Sequence, residues 1–337
     1  MKIVHTLHWI QFAGTEKVCV DLCNEMSKEH QVYLLSNEKV RPYLNDQVQL
    51  IDFDFEKNRY NPLFLYQTAQ LLKEISPDII HCHNTKELEI MKYTQIFLSK
   101  KIPIVGTRHN PILKKKFAYA DLGIAVSPET LDYTNAKKNI LITNGVKYQS
   151  PSDLNFQNNF NIIAVGRLAK VKGFDVLIRA LNEVNFNFKV RIIGEGELKE
   201  ELQQLITTLK LENKIELVGF VSNVNDYLYS SDLQIISSHE EGLSLALIEG
   251  IFYGKAIVAS DIANHKALLG ERLVFDIENV DNIKLLAEKL NEIYTHYDEI
   301  VELFNDVKAK KDNFSIEKMT TSYLDAYQDL IEKNKAV

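Results

Sequence analysis

Short apolar strands alternate with helical patterns along the whole chain, and this alternation limits the fold more than any other feature of the sequence. The strand-like runs are rich in isoleucine and valine, and they include KIVHTL, DIIHCH and IPIVGT in the first half and FNIIAVG, FKVRIIG and LQIIS in the second. Continuous apolar strands separated by helices are typical of a parallel sheet that is covered by helices on both faces. The sequence therefore predicts an α/β fold with doubly wound parallel sheets.

The pattern occurs twice, which predicts two Rossmann-like domains. It runs once to about Val146 and restarts near Asn161, and the segment between them, YQSPSDLNFQNNF, is polar, as expected of a linker. A chain of 337 residues is also too long for a single core. We expect an N-terminal domain at 1–150 and a C-terminal domain at 151–314.

The last segment, 315–337, has the pattern of an amphipathic helix. Apolar residues recur every three or four positions, and Ser315 precedes them as a helix cap. These apolar positions are Ile316, Met319, Tyr323, Tyr327 and Leu330. We expect this helix to pack back across the N-terminal domain.

Composition is that of a globular protein from a reducing compartment. Apolar residues make up 45% and charged residues 25% of the chain, and no apolar run reaches the roughly 18 residues of a membrane span. The N-terminal MKIVHTLHWI predicts a first strand rather than a signal peptide. The three cysteines fit a cytoplasmic protein. Cys19 and Cys23 share one helix face, where we expect core residues rather than a redox pair.

Basic residues cluster in the first half, although the net charge of the whole chain is −7. Eight of them lie within 86–116, among them Lys114, Lys115 and Lys116, against two acidic residues. Two interpretations stay open: a solvated lysine-rich face, or a surface for a phosphorylated glycan or for anionic lipid at the inner face of the cytoplasmic membrane. No recognition-helix or zinc-finger pattern accompanies the cluster, so nucleic acid is not an expected partner.

Two common cofactor motifs of α/β proteins are missing from the sequence. The nearest approach to the dinucleotide-binding G-x-G-x-x-G pattern starts at Gly194 but has Lys199 at the third glycine position. No G-x-x-x-x-G-K-[ST] phosphate loop occurs. Dinucleotide and P-loop chemistry are therefore not expected.

Two groups of potential metal ligands have simpler explanations. Asp52 and Asp54 lie in the alternating run QLIDFDFEK, where both carboxylates share one exposed strand face. His81 and His83 share one face of the strand DIIHCH while Cys82 points away, so a third ligand has to come from elsewhere. We therefore expect no metal site.

The segment GRLAKVKG, residues 166–173, follows the strand NIIAV and precedes the helix FDVLIRAL. Arg167 and Lys172 are thereby predicted at the carboxyl end of a parallel strand, where open α/β sheets bind ligands. Two cations at this position can neutralise a diphosphate without a metal ion. Lysines beside surface turns are common, so this pair alone does not decide between a diphosphate site and an exposed loop.

The segment SHEEGLSLALIEG, residues 238–250, follows the strand LQIIS and contains Glu241 and Glu249. Its helix is predicted to start near Ser244, with a capping hydroxyl and with amides that attract phosphate. Eight residues of helix span roughly 12 Å, comparable to a sugar nucleotide from ribose to sugar, so each carboxylate can accept hydrogen bonds at one end. The alternative is a pair of exposed helix glutamates, but Glu249 lies in the apolar string LALIEGIFYG.

Taken in order, these segments give the chain a family resemblance: it resembles the retaining GT-B glycosyltransferases of glycosyltransferase family 4 over nearly its whole length. The loop AGTEK, residues 13–17, is similar to the family's glycine-rich loop. The other motifs follow in the family's order: DIIHCH, TRH ending at His109, VSP, ITNGV, VGRLAKVKG, IIGEG, VGF ending at Phe220, and the paired glutamates. The ordered set is far more specific than any single motif.

The resemblance implies a GT-B fold, with two Rossmann-like domains that face a central cleft. The first domain would bind the acceptor and the second the nucleotide-sugar donor. The catalytic residues of the family map onto His109, Arg167, Lys172 and Glu241. The two cations would stabilise the departing diphosphate, the glutamate would bind the transferred sugar, and the histidine would lie beside that sugar. Donor contacts are implied for Gly14, Arg167, Lys172, Gly194, Phe220, Val221, Glu241, Gly242, Leu243, Ser244, Leu245 and Glu249.

The implied function is retaining, metal-independent transfer of a hexosyl or N-acetylhexosaminyl group from a nucleotide-sugar, in the first place a UDP-sugar. The acceptor would be a glycan or lipid-linked glycan in bacterial surface polysaccharide or lipopolysaccharide synthesis. No cofactor is expected. Two alternatives stay open: a GT-B sugar-nucleotide epimerase, and an inactive GT-B subunit that binds and activates a partner.

The sequence departs from the family pattern at four positions near the donor motifs. Ala13 replaces the first glycine of the glycine-rich loop, Leu243 and Ser244 stand where Phe and Gly are usual, and Gly250 replaces an alanine. None of these changes removes a charged group that the chemistry requires. We therefore expect an active enzyme.

Overall fold

The computed structural model describes residues 1–9, 13–110, 115–156, 159–276 and 282–335. The chain divides into two compact units. The first unit comprises Met1–Lys147 and Phe314–Val337, and the second unit comprises Tyr148–Asn313. The C-terminal segment thus belongs to the first unit.

The first unit is built around a parallel sheet. Its strands are β1 (Lys2–Thr6), β2 (Gln31–Ser36), β3 (Gln49–Asp52), β4 (Ile79–Cys82), β5 (Ile104–Arg108), β6 (Leu122–Ala125) and β7 (Lys138–Leu141). Its helices are α1 (Gly14–Met26), α2 (Pro62–Ile75), α3 (Thr85–Thr94) and α4 (Pro128–Asp132), with 3₁₀ helices at Glu38–Tyr43, Gln95–Phe97 and Lys115–Tyr119. In the residues described, this sheet has seven strands in the order β3-β2-β1-β4-β5-β6-β7, and neighbouring strands pair in parallel.

The second unit repeats this design with a smaller sheet. Its strands are β8 (Phe160–Val165), β9 (Phe188–Ile193), β10 (Ile215–Gly219), β11 (Leu233–Ile236), β12 (Ile257–Ser260) and β13 (Val274–Phe275). Its helices are α5 (Phe174–Leu181), α6 (Lys199–Thr208), α7 (Val224–Ser230), α8 (Leu245–Tyr253), α9 (Ala263–Leu269), α10 (Asn282–Thr295) and α11 (Tyr297–Lys308), with 3₁₀ helices at Lys170–Lys172, Glu271–Leu273 and Lys311–Phe314. Over the described residues the six strands pair in parallel in the order β10-β9-β8-β11-β12-β13.

Burial of the strands explains why the sequence pattern predicts this class of fold. Every residue of β4, β5, β11 and β12 is buried. Strands that are covered by helices on both faces have no solvent side, so they read as continuous apolar runs rather than as alternating ones. The α/β prediction is confirmed in both units.

The order of the strands reverses once in each sheet. In the first sheet the chain moves from β1 outward to β3 and then returns to β4 on the other side of β1; in the second it moves from β8 to β10 and returns to β11 beside β8. Right-handed crossovers then place the connecting helices of the two halves on opposite faces, which opens a crevice at the carboxyl ends of the two central strands. The loops after β1, β4, β8 and β11 are therefore the expected ligand positions.

The C-terminal helix α12 (Ile316–Lys335) is part of the first unit and packs against its other elements. Tyr327 Oη lies 2.6 Å from His81 Nδ1, and Tyr323 Oη lies 3.1 Å from Thr107 Oγ1. Both tyrosines are fully buried, so the helix completes the core of this unit. None of the helices in the described part of the chain has the length and apolar surface that a bilayer-spanning segment needs.

Glu87 connects the carboxyl ends of the two central strands of the first unit. Its buried carboxylate accepts hydrogen bonds from Thr6 Oγ1 and from the backbone N–H of His8, both at 2.7 Å. It also accepts from the backbone N–H of His83 at 2.7 Å and from Asn84 Nδ2 at 2.6 Å. Burial raises the pKa of Glu87 to about 7, although these donors oppose the shift. One side chain therefore holds the segment after β1 against the segment after β4.

Packing explains why position 250 has glycine instead of the alanine of the family pattern. An alanine in this helix would be favoured by about 1 kcal/mol in propensity. A Cβ at this position, however, would lie 1.8 Å from Gln234 Oε1 and 2.5 Å from Ile257 Cδ1. Gln234 is buried and donates a 2.7 Å hydrogen bond from Nε2 to the carbonyl oxygen of Ala246. Glycine therefore makes room for the glutamine of β11 beside α8.

Gly194 joins the loops that follow β8, β9 and β10. Its N–H donates to the carbonyl oxygen of Gly219 at 2.9 Å, and the N–H of Gly166 donates to the carbonyl oxygen of Ile193 at 2.9 Å. Gly194 has a φ of +142°, which other residues rarely adopt. A Cβ on it would lie 1.9 Å from the carbonyl oxygen of Gly166. Glycine is thus required for the close approach of these loops.

We expect Gly194→Ala to lower the free energy of unfolding by at least about 3 kcal/mol, because both the backbone conformation and the carbonyl of Gly166 oppose a Cβ. Gly270→Ala is the matched control in the same unit: φ is +79°, but nothing lies within 4 Å of its added Cβ. Its cost should be about 1–3 kcal/mol, from the backbone conformation alone, because φ of +79° with ψ of 173° is a combination that essentially only glycine adopts. Chemical denaturation measures both values, and equal costs would contradict the loop contact.

Candidate active site

Arg167 and Lys172 lie on the segment that follows β8, and Glu241 lies on the segment that follows β11. These two strands are the neighbours at which the strand order of the second sheet reverses. Arg167 is exposed, whereas Lys172 and Glu241 are half-buried. The structure therefore brings three of the four residues assigned catalytic roles to the edge of the sheet where α/β proteins bind ligands.

Lys172 and Glu241 form an ion pair across the order reversal. Ser238 Oγ donates a 2.8 Å hydrogen bond to Glu241 Oε1, and Ser237 Oγ donates a 2.8 Å hydrogen bond to the carbonyl oxygen of Lys172. The side chains of the pair are 19% and 14% exposed, so the two charges neutralise each other in a partly desolvated place. An anion that binds at Lys172 has to compete with this carboxylate.

The amino end of α8 differs in one respect from the sequence prediction. Ser244 occupies the predicted cap position, but its side chain makes no capping hydrogen bond, so the predicted capping hydroxyl is wrong. Gly242 and Leu243 before it are buried. Leu245 and Glu249 are half-buried in a helix whose other residues are buried. Because they are four residues apart, they share the accessible face of this helix.

The other implied donor contacts of this unit follow β9 and β10. Gly194 comes directly after β9, and Phe220 and Val221 come directly after β10. Phe220 is 51% exposed and Val221 is half-buried. An exposed aromatic ring at this edge offers a surface on which a planar base can stack.

Two residues that sequence reasoning missed lie beside Glu241. Asn264 Nδ2 donates a 2.9 Å hydrogen bond to the backbone carbonyl of Glu241. His265 Nδ1 lies 3.1 Å from the carbonyl oxygen of Ser260, and its buried Nε2 has no hydrogen-bond partner in the described residues. Burial lowers the pKa of His265, while the charge of Glu241 opposes the shift. Both residues follow β12, so the rule that ligands bind at the carboxyl ends of strands could have found them.

In the first unit, three imidazoles form a row at the carboxyl edge of the sheet. His5 belongs to β1, His83 follows β4 and His109 follows β5. Nδ1 of His5 lies 3.3 Å from Nε2 of His83, and Nδ1 of His83 lies 3.3 Å from Nε2 of His109. Burial lowers the pKa of His109 to about 4 and that of His83 well below its usual value. His109 is therefore neutral at pH 7 and can exchange hydrogen bonds without carrying charge.

Gly14 is the first residue of α1 and is exposed. The residue before it, Ala13, is in an extended conformation and makes no side-chain cap. The backbone N–H groups of this first turn lie at the positive end of the helix dipole, which favours an anion. Ala13 is half-buried, and the structure shows why the missing first glycine is tolerated: the extended backbone at this position suits any residue.

The three consecutive lysines of the basic cluster have different surroundings. Lys114 lies outside the described residues. Lys115 is exposed, whereas Lys116 Nζ lies 2.6 Å from both carboxylate oxygens of the buried Glu89. Of the two lysines described, one is therefore a solvated cation and the other balances a buried charge.

The buried carboxylate of Glu89 binds basic and aromatic side chains that are themselves partly exposed. Arg59 Nε lies 3.0 Å from its Oε2, and Tyr60 Oη donates a 3.1 Å hydrogen bond to its Oε1. Two cations, Arg59 and Lys116, thus face one carboxylate. Tyr60 is 56% exposed, and Leu63, which follows it by three residues in the chain, is 63% exposed. We call Arg59, Tyr60, Leu63, Lys115 and Lys116 the basic-aromatic surface.

The potential metal ligands of the sequence analysis also have defined positions. Asp52 and Asp54 are exposed. The rings of His81 and His83 lie 4.3 Å apart, and a third imidazole comes from β1. The cysteines Cys19, Cys23 and Cys82 are free and buried. Burial raises the pKa of the Cys19 and Cys82 thiols, so both are protonated at neutral pH unless a metal ion binds them.

Two family models match the chain one after the other. The model described as Glycosyltransferase Family 4 matches residues 12–149, and the model described as Glycosyl transferases group 1 matches residues 148–312. Together they span residues 12–312, which make up most of both units of the structure.

Two curated relatives illustrate what the chain is similar to. The N-acetylgalactosamine-N,N'-diacetylbacillosaminyl-diphospho-undecaprenol 4-alpha-N-acetylgalactosaminyltransferase of Campylobacter jejuni is 39% identical over 140 residues, which are 42% of this chain and 36% of that protein. The match thus spans less than two thirds of that relative's length. The lipopolysaccharide core biosynthesis glycosyltransferase LpsD of Rhizobium meliloti is 25% identical over 296 residues, which are 77% of this chain and 78% of that protein.

Among solved structures, Anabaena Alr3699/HepE in complex with UDP and glucose has the same fold. The TM-score is 0.83 at 19% identity, over 98% of this chain and 100% of that chain. The two parallel-sheet units and this likeness confirm the predicted GT-B fold. The chain belongs to the GT-B glycosyltransferases of family 4.

Proposed function

We propose that this chain transfers a sugar from a UDP-sugar and that the second unit binds this donor. The observation that carries the proposal is the position of three residues where the strand order of the second sheet reverses. Arg167 and Lys172 follow β8, and Lys172 forms an ion pair with Glu241, which follows β11. Two cations suit the diphosphate, and a carboxylate suits paired sugar hydroxyls. The Anabaena protein of the same fold was crystallised in complex with UDP, which supports the choice of nucleotide.

The ion pair gives a physical account of donor binding. Lys172 and Glu241 are bound to each other before the donor arrives. When it binds, the diphosphate replaces the carboxylate at Lys172, and hydroxyls of the transferred sugar replace the ammonium at Glu241. Both charges exchange partners in one event, so neither is left desolvated and unpaired, which would be costly.

Departure of the diphosphate would then be assisted by charge already in place. Arg167 and Lys172 stabilise the developing negative charge on the leaving group, which lowers the barrier to cleavage of the bond to the sugar. The same two cations make a divalent metal unnecessary in this proposal. Glu249 on the accessible face of α8 is proposed to hold the ribose, and Phe220 to stack on the base. Retention of configuration is proposed from the family resemblance.

The acceptor is proposed to be a glycan carried on a lipid, in the synthesis of a bacterial surface polysaccharide. The name of the Campylobacter relative describes a diphospho-undecaprenol-linked acceptor, and that of the Rhizobium relative describes lipopolysaccharide core synthesis. The basic-aromatic surface of the first unit supports this choice, because cations beside exposed tyrosine and leucine suit a lipid-water interface with anionic headgroups. The chain is proposed to act in the cytoplasm and to contact the membrane peripherally there.

The donor site is tested by calorimetry of UDP, GDP and ADP with EDTA present. We expect selective binding of UDP, and we expect Arg167→Ala to weaken it by about 10- to 100-fold, since hydrogen bonds to charged groups contribute about 1.5–3 kcal/mol. Arg272→Ala is the matched control, because Arg272 is exposed in the same unit and pairs with Glu299 at 3.6 Å. UDP binding that requires a metal ion, or that both variants weaken equally, contradicts the proposal.

In the same assay, Glu241→Gln distinguishes the role of Glu241 from that of Lys172. This variant releases Lys172, so the affinity for UDP should be kept or raised. The additional affinity that the sugar gives to a UDP-sugar should be lost, because the amide accepts fewer hydrogen bonds than the carboxylate. Weaker binding of UDP itself would show that Glu241 is not a competitor of the diphosphate.

His109 is proposed to assist transfer as a neutral hydrogen-bonding group. His109→Gln should lower the rate of sugar release from the donor on the order of 10²-fold. Because its pKa of about 4 keeps the imidazole neutral, and because the adjoining His83 is neutral as well, the ratio of wild-type to variant rate should be constant between about pH 6 and 8. A ratio that falls as the pH rises through the usual histidine pKa would identify an imidazolium instead.

Membrane contact is tested with Lys115→Glu and vesicles that contain phosphatidylglycerol. Each basic residue near an anionic surface contributes about 1 kcal/mol, so the partition constant for the vesicles should fall by at least about fivefold. The affinity for UDP should not change. Lys138→Glu on the edge strand β7 is the control, since Lys138 is also exposed. Equal losses in both variants would indicate a net-charge effect and would remove the assigned surface.

A further inference from the structure

His5 has a ring nitrogen for which the described part of the chain provides no hydrogen-bond partner. The side chain is fully buried in β1. Its Nδ1 contacts Nε2 of His83 at 3.3 Å, whereas its Nε2 has no hydrogen-bond partner in the described residues. A buried polar atom without a partner is costly, and such atoms in a native fold call for an explanation. The nitrogen is therefore available to a ligand.

Two thiols lie next to this imidazole. Cys19 and Cys23 are one helical turn apart on α1, and both are fully buried. A ring nitrogen of His5 and the two Sγ atoms all lie within 4.8 Å of one another. A zinc ion takes Zn–S distances of about 2.3 Å and Zn–N distances of about 2.0–2.1 Å. The three ligand atoms would draw together around such an ion.

We propose that His5, Cys19 and Cys23 form a zinc-binding site in the first unit. Binding of Zn²⁺ releases the two thiol protons to solvent. The resulting two thiolates and a neutral imidazole around Zn²⁺ give a group of zero net charge, which is the arrangement that burial tolerates best. The soft sulfur ligands select zinc over magnesium or calcium. A fourth tetrahedral position is left to water or another small ligand.

A competing set of ligands in the same region is less suitable. His5, His81 and His83 also have ring nitrogens within 4.8 Å of one another. Both nitrogens of His81, however, are already engaged: Nε2 lies 2.7 Å from Thr107 Oγ1 and Nδ1 lies 2.6 Å from Tyr327 Oη. A metal there would break one of these contacts, whereas the site with the cysteines requires neither nitrogen of His81.

The proposed ion would hold α1 against β1. This helix begins at Gly14, in the glycine-rich loop of the family, so the metal would fix the position of that loop. The site belongs to the first unit, whereas Arg167, Lys172 and Glu241 belong to the second. The ion therefore takes no part in the proposed neutralisation of the donor diphosphate.

Cobalt titration of the full-length, chelator-stripped protein tests the site. We expect one Co²⁺ per chain, with the intense visible bands of a tetrahedral ion and a near-ultraviolet thiolate-to-cobalt charge-transfer band, and displacement by Zn²⁺. Cys19→Ser and Cys23→Ser should each remove the charge-transfer intensity of one thiolate and lower zinc affinity by more than the 10- to 100-fold loss typical of an outer-shell partner. Cys82→Ser, which alters a buried cysteine on β4 outside the cluster, should change neither.

The wild-type spectrum decides the proposal even where a variant fails to fold. Absence of bound Co²⁺ and Zn²⁺ would overturn it, as would bound Co²⁺ without a thiolate band, which would point to the histidines alone. Unchanged spectra in Cys19→Ser and Cys23→Ser, or an equal loss in Cys82→Ser, would overturn it as well. Zn²⁺ but not Mg²⁺ should raise the Tm of the wild-type protein, and no rise with Zn²⁺ counts against the site.

Discussion

The reversal of strand order beside the first strand of each sheet is the constraint on which the candidate site depends. Because crossovers between parallel strands are right-handed, the helices before and after the reversal cover opposite faces, and the loops between them diverge. In the second unit this brings the segments after β8 and β11 together, although about seventy residues separate Lys172 from Glu241. In the first unit the same reversal brings β1 beside β4, where Glu87 binds the backbone of both following segments.

The carboxyl edges of the two sheets differ in how their ionisable side chains are neutralised. In the second unit, opposite charges are present and neutralise each other, as Lys172 and Glu241 do. In the first unit, burial removes the charge instead: the pKa of His5 is lowered to about 3 and that of His109 to about 4. In the second unit, Lys172 can exchange its carboxylate partner for an anionic ligand. In the first unit, the neutral imidazoles offer hydrogen bonds and metal ligands.

Sequence reasoning worked where a local pattern determines the outcome and left the outcome open where a side chain's neighbours come from distant segments. Arg167 and Lys172 were placed correctly after β8, because strand, loop and helix follow one another in the chain. Lys116 shows the limit of this approach. It belongs to a basic run, yet it faces Glu89, which lies on another helix, and no pattern within 86–116 distinguishes it from the exposed Lys115.

Glycine positions show a further limit. Gly250 stands where the family has alanine, and helix propensity alone predicts that this glycine makes the helix less stable. The structure shows that a Cβ there would collide with Gln234 of β11, so that the small residue serves packing between a helix and a strand. Asn264 and His265 were missed for a related reason: a short helix after β12 has no motif, and only its place in the sheet brings it beside Glu241.

The sequence by itself determined the α/β class, the repetition of the pattern, the C-terminal helix and the family motifs, because apolar periodicity and loop chemistry are properties of neighbouring residues. The tertiary structure alone decided which side chains meet. Lys172 contacts Glu241, and His5 lies beside Cys19 and Cys23, because strand order and crossover handedness place their segments side by side. Such contacts depend on distances across the sheet, and a linear pattern carries no information about them.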